Sequence, residues 1–141
     1  MKANTKSAEA ERIVREAALA LMTPDLGECL VCFVDRQLRS FGYDNTHRFT
    51  LQYRDASAPR STAIIKRLSR LGACCCDCEI FLNAYEPAFA LWSKERWVED
   101  PSGGEICIEG GPPDVMPPCA GVRRGTVMPC RNWVRALRRG R

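Results

Sequence analysis

The chain has a single histidine, His47, among its 141 residues, so imidazole chemistry has one candidate and no second ring to work beside it. Long apolar runs are also missing. No stretch approaches the roughly 20 apolar residues that a membrane-spanning helix needs, which removes a helical membrane anchor from the expectations. The residues before Arg12 contain no apolar h-region, and Ala17 to Met22 is too short and too far in to act as a secretion signal. A cytoplasmic, reducing setting is therefore expected. Acid is missing from one end: residues 123 to 141 carry seven arginines and neither Asp nor Glu, leaving 14 basic and 17 acidic groups before them. The net charge of +4 belongs to that tail, while residues 86 to 122 hold seven acids against two bases. Such opposition lets the tail meet its own chain and weakens a nucleic-acid reading based on overall charge.

What the chain has in excess is cysteine. There are nine, an odd number that cannot all pair internally, and a reducing compartment favours metal ligation over a disulfide framework. Two groups stand close in sequence, Cys29-Leu30-Val31-Cys32 and Cys74-Cys75-Cys76-Asp77-Cys78. Two thiol-rich turns can surround one tetrahedral zinc ion, and the expected ligand set is Cys29, Cys32, Cys76 and Cys78. Cys75 is an alternative to Cys76 because it restores a two-residue gap to Cys78. His47 can replace one thiolate, although an isolated histidine more often serves as a surface or hydrogen-bonded core residue. Cys107, Cys119 and Cys130 are separated by 12 and 11 residues. They can fold over the centre, supply a second one, or fill apolar gaps as small thiols, and the last is the simplest account. Asp77 and Glu79 are best explained by helix capping.

Apolar spacing predicts a mainly α fold: one small helical domain over 7–141 with a zinc-thiolate centre and a long Gly/Pro-rich loop. Helices are expected from Ser7 to Met22, from the Asp25/Glu28 capping-box pair to Gly42, from Thr46 to Arg54, from Ser57 to Gly72, and from Asp77 onward. Residues 27–85 form the cysteine-rich core. Residues 101–128 read as the loop, with Ile106-Cys107-Ile108 as a short edge strand inside it. Residues 129–139 read as a basic terminal helix with Trp133, Val134 and Leu137 on one side.

Tyr43-Asp44-Asn45-Thr46 with Phe49-Thr50, and Cys76-Asp77-Cys78-Glu79 followed by Asn83, resemble an uncharacterised bacterial family, domain of unknown function 2695. The resemblance covers about residues 27 to 85. The family's two short motifs are Cys-Asp-His-Thr and Cys-Asp-Cys-Glu, and this chain departs from the first by placing Tyr43 and Asn45 where the pattern has cysteine and histidine. The resemblance implies a recurring fold and brings no established activity.

Together these features predict a structural zinc-binding module with a protein partner and no membrane contact. A metal-dependent enzyme or a thiol-redox enzyme using Cys29 and Cys32 is the first alternative, and nucleic-acid binding through the Arg-rich C-terminus is the second. The protein-contact reading expects little association with single-stranded nucleic acid at about 0.15 M salt. Fluorescence anisotropy checks it. Sub-micromolar binding that weakens steeply with salt, and falls when Arg135, Arg138 and Arg139 are replaced together, would move the chain into the nucleic-acid-binding class.

Overall fold

A computed structural model describes residues 4–137, in which helices dominate and two short antiparallel sheets are appended. Helix α1 (Asn4–Leu21) carries Arg12 paired with Glu9 at 3.8 Å and Glu16 at 3.1 Å, the one-turn spacings that support an exposed helix. Its apolar residues Ile13, Val14, Leu19 and Leu21 remain exposed. The end of α1 is tied down by Arg36, whose guanidinium donates to the carbonyls of Leu21 and Thr23 at 2.9 and 3.1 Å. The same guanidinium grips the buried Glu28 carboxylate through two bonds of 3.1 and 2.8 Å. Among the described residues, no helix is long and apolar enough to cross a membrane.

Helix α2 (Leu30–Phe41) is the centre of the core. Leu30, Val31, Phe33 and Val34 are all essentially inaccessible, and Gly42 ends the helix in the left-handed region at φ 73°. The expected Asp25/Glu28 box forms only in part. Glu28 reaches back to the Asp25 N–H at 3.0 Å, but the helix starts one residue after Cys29, which caps it. Helix α3 (Arg48–Ser57) packs on α2 through Phe33 and Tyr53, ring centroids 5.9 Å apart, and α4 (Ile64–Arg70) adds Ile64 and Leu68. Residues 58–63 form turns instead of the first helical turn expected after Ser57.

The start of α3 has no cap of its own. The cap comes from Asp77, 28 residues on, whose fully buried carboxylate accepts the N–H of Phe49 at 2.9 Å. It also accepts the N–H and hydroxyl of Thr50 at 3.1 and 2.6 Å. Thr46 returns the contact by accepting the Asp77 N–H at 3.0 Å. Asp77 thus caps a distant helix, and the turn after it becomes a π-helical turn, Ile80–Ala84, where a short α-helix had been expected. Gly72, at φ 100°, is held against this turn: a Cβ there would lie 2.9 Å from Asn83 Cβ, so side chains are excluded both by conformation and by space.

The chain then enters β1 (Tyr85–Pro87) and a 3-10 turn, Phe89–Leu91, in place of continued helix. Strands β2 (Arg96–Glu99) and β3 (Glu105–Ile108) form an antiparallel hairpin that includes the expected edge strand. The expected basic helix at 129–139 is corrected within the described residues, since Trp133–Arg135 form β4 instead and pair antiparallel with β1. Residues 138 and 139, with Arg138 and Arg139, lie outside the described residues. The helical spacing of Trp133, Val134 and Leu137 was overridden by the free edge of β1, which takes Tyr85 opposite Arg135 and Pro87 opposite Trp133. Trp133 is buried against Phe81 while Leu137 stays exposed.

Replacing Asp77 by Ala leaves two buried helix-start donors and the Thr50 hydroxyl without their acceptor. The expected cost is about 2–4 kcal/mol by urea denaturation, against less than about 0.5 kcal/mol for Asp55→Ala on the exposed face. Equal midpoints for the two variants would refute the remote cap.

Candidate metal centre

The buried start of α2 and the returning C-terminal arm bring four sulfurs to one place. Cys29 and Cys32 come from the helix start, Cys119 and Cys130 from the arm, and their four Sγ atoms all lie within 4.8 Å of one another. Cys29, Cys32 and Cys130 are buried and Cys119 is half-buried. Cys32 and Cys130 stand 3.7 Å apart. Two sulfurs at corners of a tetrahedron with bonds of about 2.3 Å would be separated by roughly 3.8 Å, so the spacing suits one shared ion.

Backbone N–H groups point at the sulfurs. The Cys32 N–H donates to Cys29 Sγ at 3.3 Å, across the two-residue turn that opens α2. Cys119 Sγ accepts from the N–H of Cys29 and of Gly121, both at 3.3 Å, so this one sulfur joins the start of α2 to the returning arm. The Trp133 indole donates to Cys32 Sγ at 3.2 Å. Donors of this kind stabilise thiolate over thiol. Hydrogen bonding from Cys32, against the opposing effect of burial, holds the Cys29 thiol down at about 5. Cys32 is pushed up, first by its bond to Cys29 and then by burial, and burial also pushes up Cys119. A second thiolate beside the first is disfavoured without a cation.

The arm is placed by contacts outside the sulfurs. Val122 donates to the Gly27 carbonyl at 2.9 Å, Asn132 Nδ2 to the Pro118 carbonyl at 3.0 Å, and the Tyr53 hydroxyl to the carbonyls of Glu28 and Thr126 at 2.9 and 3.3 Å. A cleft lined by Gly27, Cys32, Met116 and Cys119 opens beside the cluster and offers an ion a route in.

Of the expected ligands, Cys29 and Cys32 are therefore brought together, while Cys76 and Cys78 fall outside the four-sulfur group. Asp77 and His47 explain why. His47 Nε2 lies 3.1 Å from the Ala73 carbonyl, which can only accept, so this nitrogen carries the proton and ties the ring to the loop, and His47 belongs to neither cysteine group. With Asp77 on the start of α3, residues 73–77 are fastened to α3 and not to the start of α2. Their turn makes a separate group in which Cys74, Cys75 and Glu79 have ligand atoms within 4.8 Å of one another. Cys75 and Cys78 are each pushed up to about 11, first by hydrogen bonds with Cys74 and Cys76 respectively. Cys107 sits on the hairpin, donating to Glu95 at 2.9 Å.

Cys130 lies in the buried core and Cys119 packs against it, as gap filling expects, and both also bring their sulfurs to Cys29 and Cys32. The available signal was local: both follow proline, and Cys119 precedes the Ala120-Gly121 turn whose N–H meets its sulfur.

Residues 30–83 match a family model described as a protein of unknown function (DUF2695). The matched segment contains Cys32 and the whole 74–78 thiol run, whereas Cys29, Cys119 and Cys130 lie outside it. No curated protein and no solved structure matches the chain.

Trp133→Phe keeps the ring against Phe81 and removes the donor to Cys32, with an expected cost of about 0.5–1.5 kcal/mol. Trp133→Ala also empties the ring's site and should cost about 3–5 kcal/mol by the same denaturation assay. Equal losses for the two would show that packing contributes nothing beyond the N–H to sulfur bond.

Proposed function

We propose that this chain is a zinc-organised module in which Cys29, Cys32, Cys119 and Cys130 close one structural centre, and whose outer surface contacts another protein. The observation that carries the reading is the convergence of four sulfurs, three of them buried, from segments 90 residues apart in sequence, all within 4.8 Å of one another and with Cys32 and Cys130 at the 3.7 Å that suits a tetrahedral thiolate shell. Zinc fits the donor set because four thiolates and tetrahedral geometry suit it without redox chemistry. Four protein ligands leave no position for substrate, so the ion's role is to pin the C-terminal arm to the start of α2. The hairpin supports the protein-contact part: Trp97, Val98, Ile106 and Ile108 are exposed on strands that lack a covering layer.

One observation favours a second reading. Cys29 stands at a helix start with its thiol held at about 5 and a second cysteine three residues on, the arrangement of a thiol-redox pair. Metal content separates the two, because a redox pair works without an ion and the four-sulfur shell does not.

Protein purified without added metal, then treated with a mild chelator to strip loosely held ions, should retain one zinc per chain by native mass spectrometry and elemental analysis. Cys119→Ser and Cys130→Ser should each lose it, while Cys76→Ser and Cys78→Ser keep it. The metal-loaded parent should be more stable than the stripped one by about 3–4 kcal/mol when free zinc is roughly 100–1,000 times Kd. Zinc that survives in Cys119→Ser and disappears in Cys76→Ser would overturn the assignment of ligands, and a metal-free parent would favour the redox pair.

A further inference from the structure

Cys74 and Cys75 are exposed, although cysteine is among the residue types most often buried. We propose that the turn bearing Cys74, Cys75 and Glu79 is a second metal site, open to solvent, which takes one exchangeable zinc-class divalent ion through two thiolates and a carboxylate, with water completing the shell.

The three ligand atoms already lie within 4.8 Å of one another. The Glu79 carboxylate faces thiols through both oxygens, Oε2 at 3.8 Å from Cys74 Sγ and Oε1 at 3.8 Å from Cys76 Sγ. The turn is also anchored at both ends. Ala73 is fixed by His47 on its carbonyl and by its own N–H bond to the Leu68 carbonyl at 2.9 Å, and Asp77 is fixed on the start of α3. Only three residues separate those two anchors, and Glu79 follows with its N–H on the Cys76 carbonyl at 3.3 Å. Thiols presented on such a scaffold lose little entropy when an ion orders them.

The alternative use of two adjacent thiols is a bond between them. Consecutive Cα atoms are about 3.8 Å apart, shorter than the roughly 4.4–6.8 Å that disulfides usually span, so that bond would be strained. Cys74 and Cys75 have sulfurs 2.7 Å apart, and an ion needs them to open by about an ångström, which rotation of exposed side chains supplies. The mixed donor set selects the metal. Two sulfurs with a carboxylate oxygen suit borderline zinc better than monovalent copper, which prefers sulfur alone, or magnesium, which prefers oxygen. On binding, each thiol releases its proton to solvent and nothing is oxidised or reduced. Three protein donors leave an open coordination position, so the ion exchanges where the closed four-thiolate centre holds its own.

The site uses none of the cysteines of the four-sulfur group, and its test is separable from theirs. Protein carrying its tightly held ion is titrated with zinc in competition with a chromophoric indicator. The expected result is a further equivalent per chain that the indicator removes on mixing, absent from the double variant Cys74→Ser, Cys75→Ser and weakened by roughly tenfold or more in Glu79→Gln. Circular dichroism should show both variants folded, since Cys74 and Cys75 are exposed and Glu79→Gln keeps the shape of a half-buried side chain. Cobalt in the rapidly exchanging position should give sulfur charge-transfer absorbance about half that of a four-thiolate centre, in proportion to its thiolate count. In Cys119→Ser the rapidly exchanging equivalent should persist even though the tight one is gone. The same persistence in a parent that holds no tight ion would support this site while the structural reading failed. The proposal is overturned if no rapidly exchanging equivalent exists, or if it survives loss of both Cys74 and Cys75.

Discussion

The buried beginning of α2 imposes the constraint on which the remaining architecture depends. A helix N-terminus presents backbone N–H groups that its own turns cannot satisfy, and here Leu30 and Val31 carry that end into the core, where water cannot reach it. Sulfur supplies the acceptors. Cys29 takes the N–H of Cys32, and Cys119, from the far arm, takes the N–H of Cys29. Capping by a neutral thiol is weak, so the same geometry that exposes the problem also favours charge on the sulfurs and a cation among them. Helix start, arm docking and metal-competent cluster are consequences of one unsatisfied polar end.

A comparable solution recurs at the start of α3 with oxygen in place of sulfur. Asp77 meets Phe49 and Thr50 across 28 residues of sequence, and in doing so it decides where the thiols on either side of it can go. The run 74–78 is thereby fastened to α3, and its exposed sulfurs face solvent next to Glu79. Six of the nine cysteines thus gather in two environments. One is enclosed and offers four sulfurs, and the other is open and offers two sulfurs with a carboxylate. Four thiolates would close a shell around an ion, whereas two thiolates and a carboxylate would leave a coordination position open. The family match, over residues 30–83, covers the second group in full and only Cys32 of the first.

Much of the helical layer was legible in the residues. The spacing of Ile13, Val14 and Ala17, the stop at Thr23-Pro24, the apolar face of α2 and the turn at Gly42 are local signals, each acting within one or two turns of helix. Cys29-x-x-Cys32 was legible for the same reason, because a two-residue gap at a helix start places its own N–H on its own sulfur. That cysteines would gather was also readable from their number. Their grouping was not: nearness in sequence suggested Cys76 and Cys78 as the companions, while the described residues place Cys119 and Cys130 beside Cys29 and Cys32.

The sequence by itself determined the helices of the first 70 residues, the thiol turn at Cys29 and the charge of the tail, since each follows from side chains close along the chain. Only the tertiary structure decided that Asp77 would cap α3, that the tail would enter a sheet, and which cysteines would meet. Those outcomes depend on partners tens of residues away: the unpaired edge of β1 outweighed the helical spacing around Trp133, and the buried donors at the start of α3 claimed the carboxylate of Asp77. Polar groups removed from water must find acceptors wherever the fold supplies them, and that supply is fixed by packing in three dimensions and not by distance along the chain.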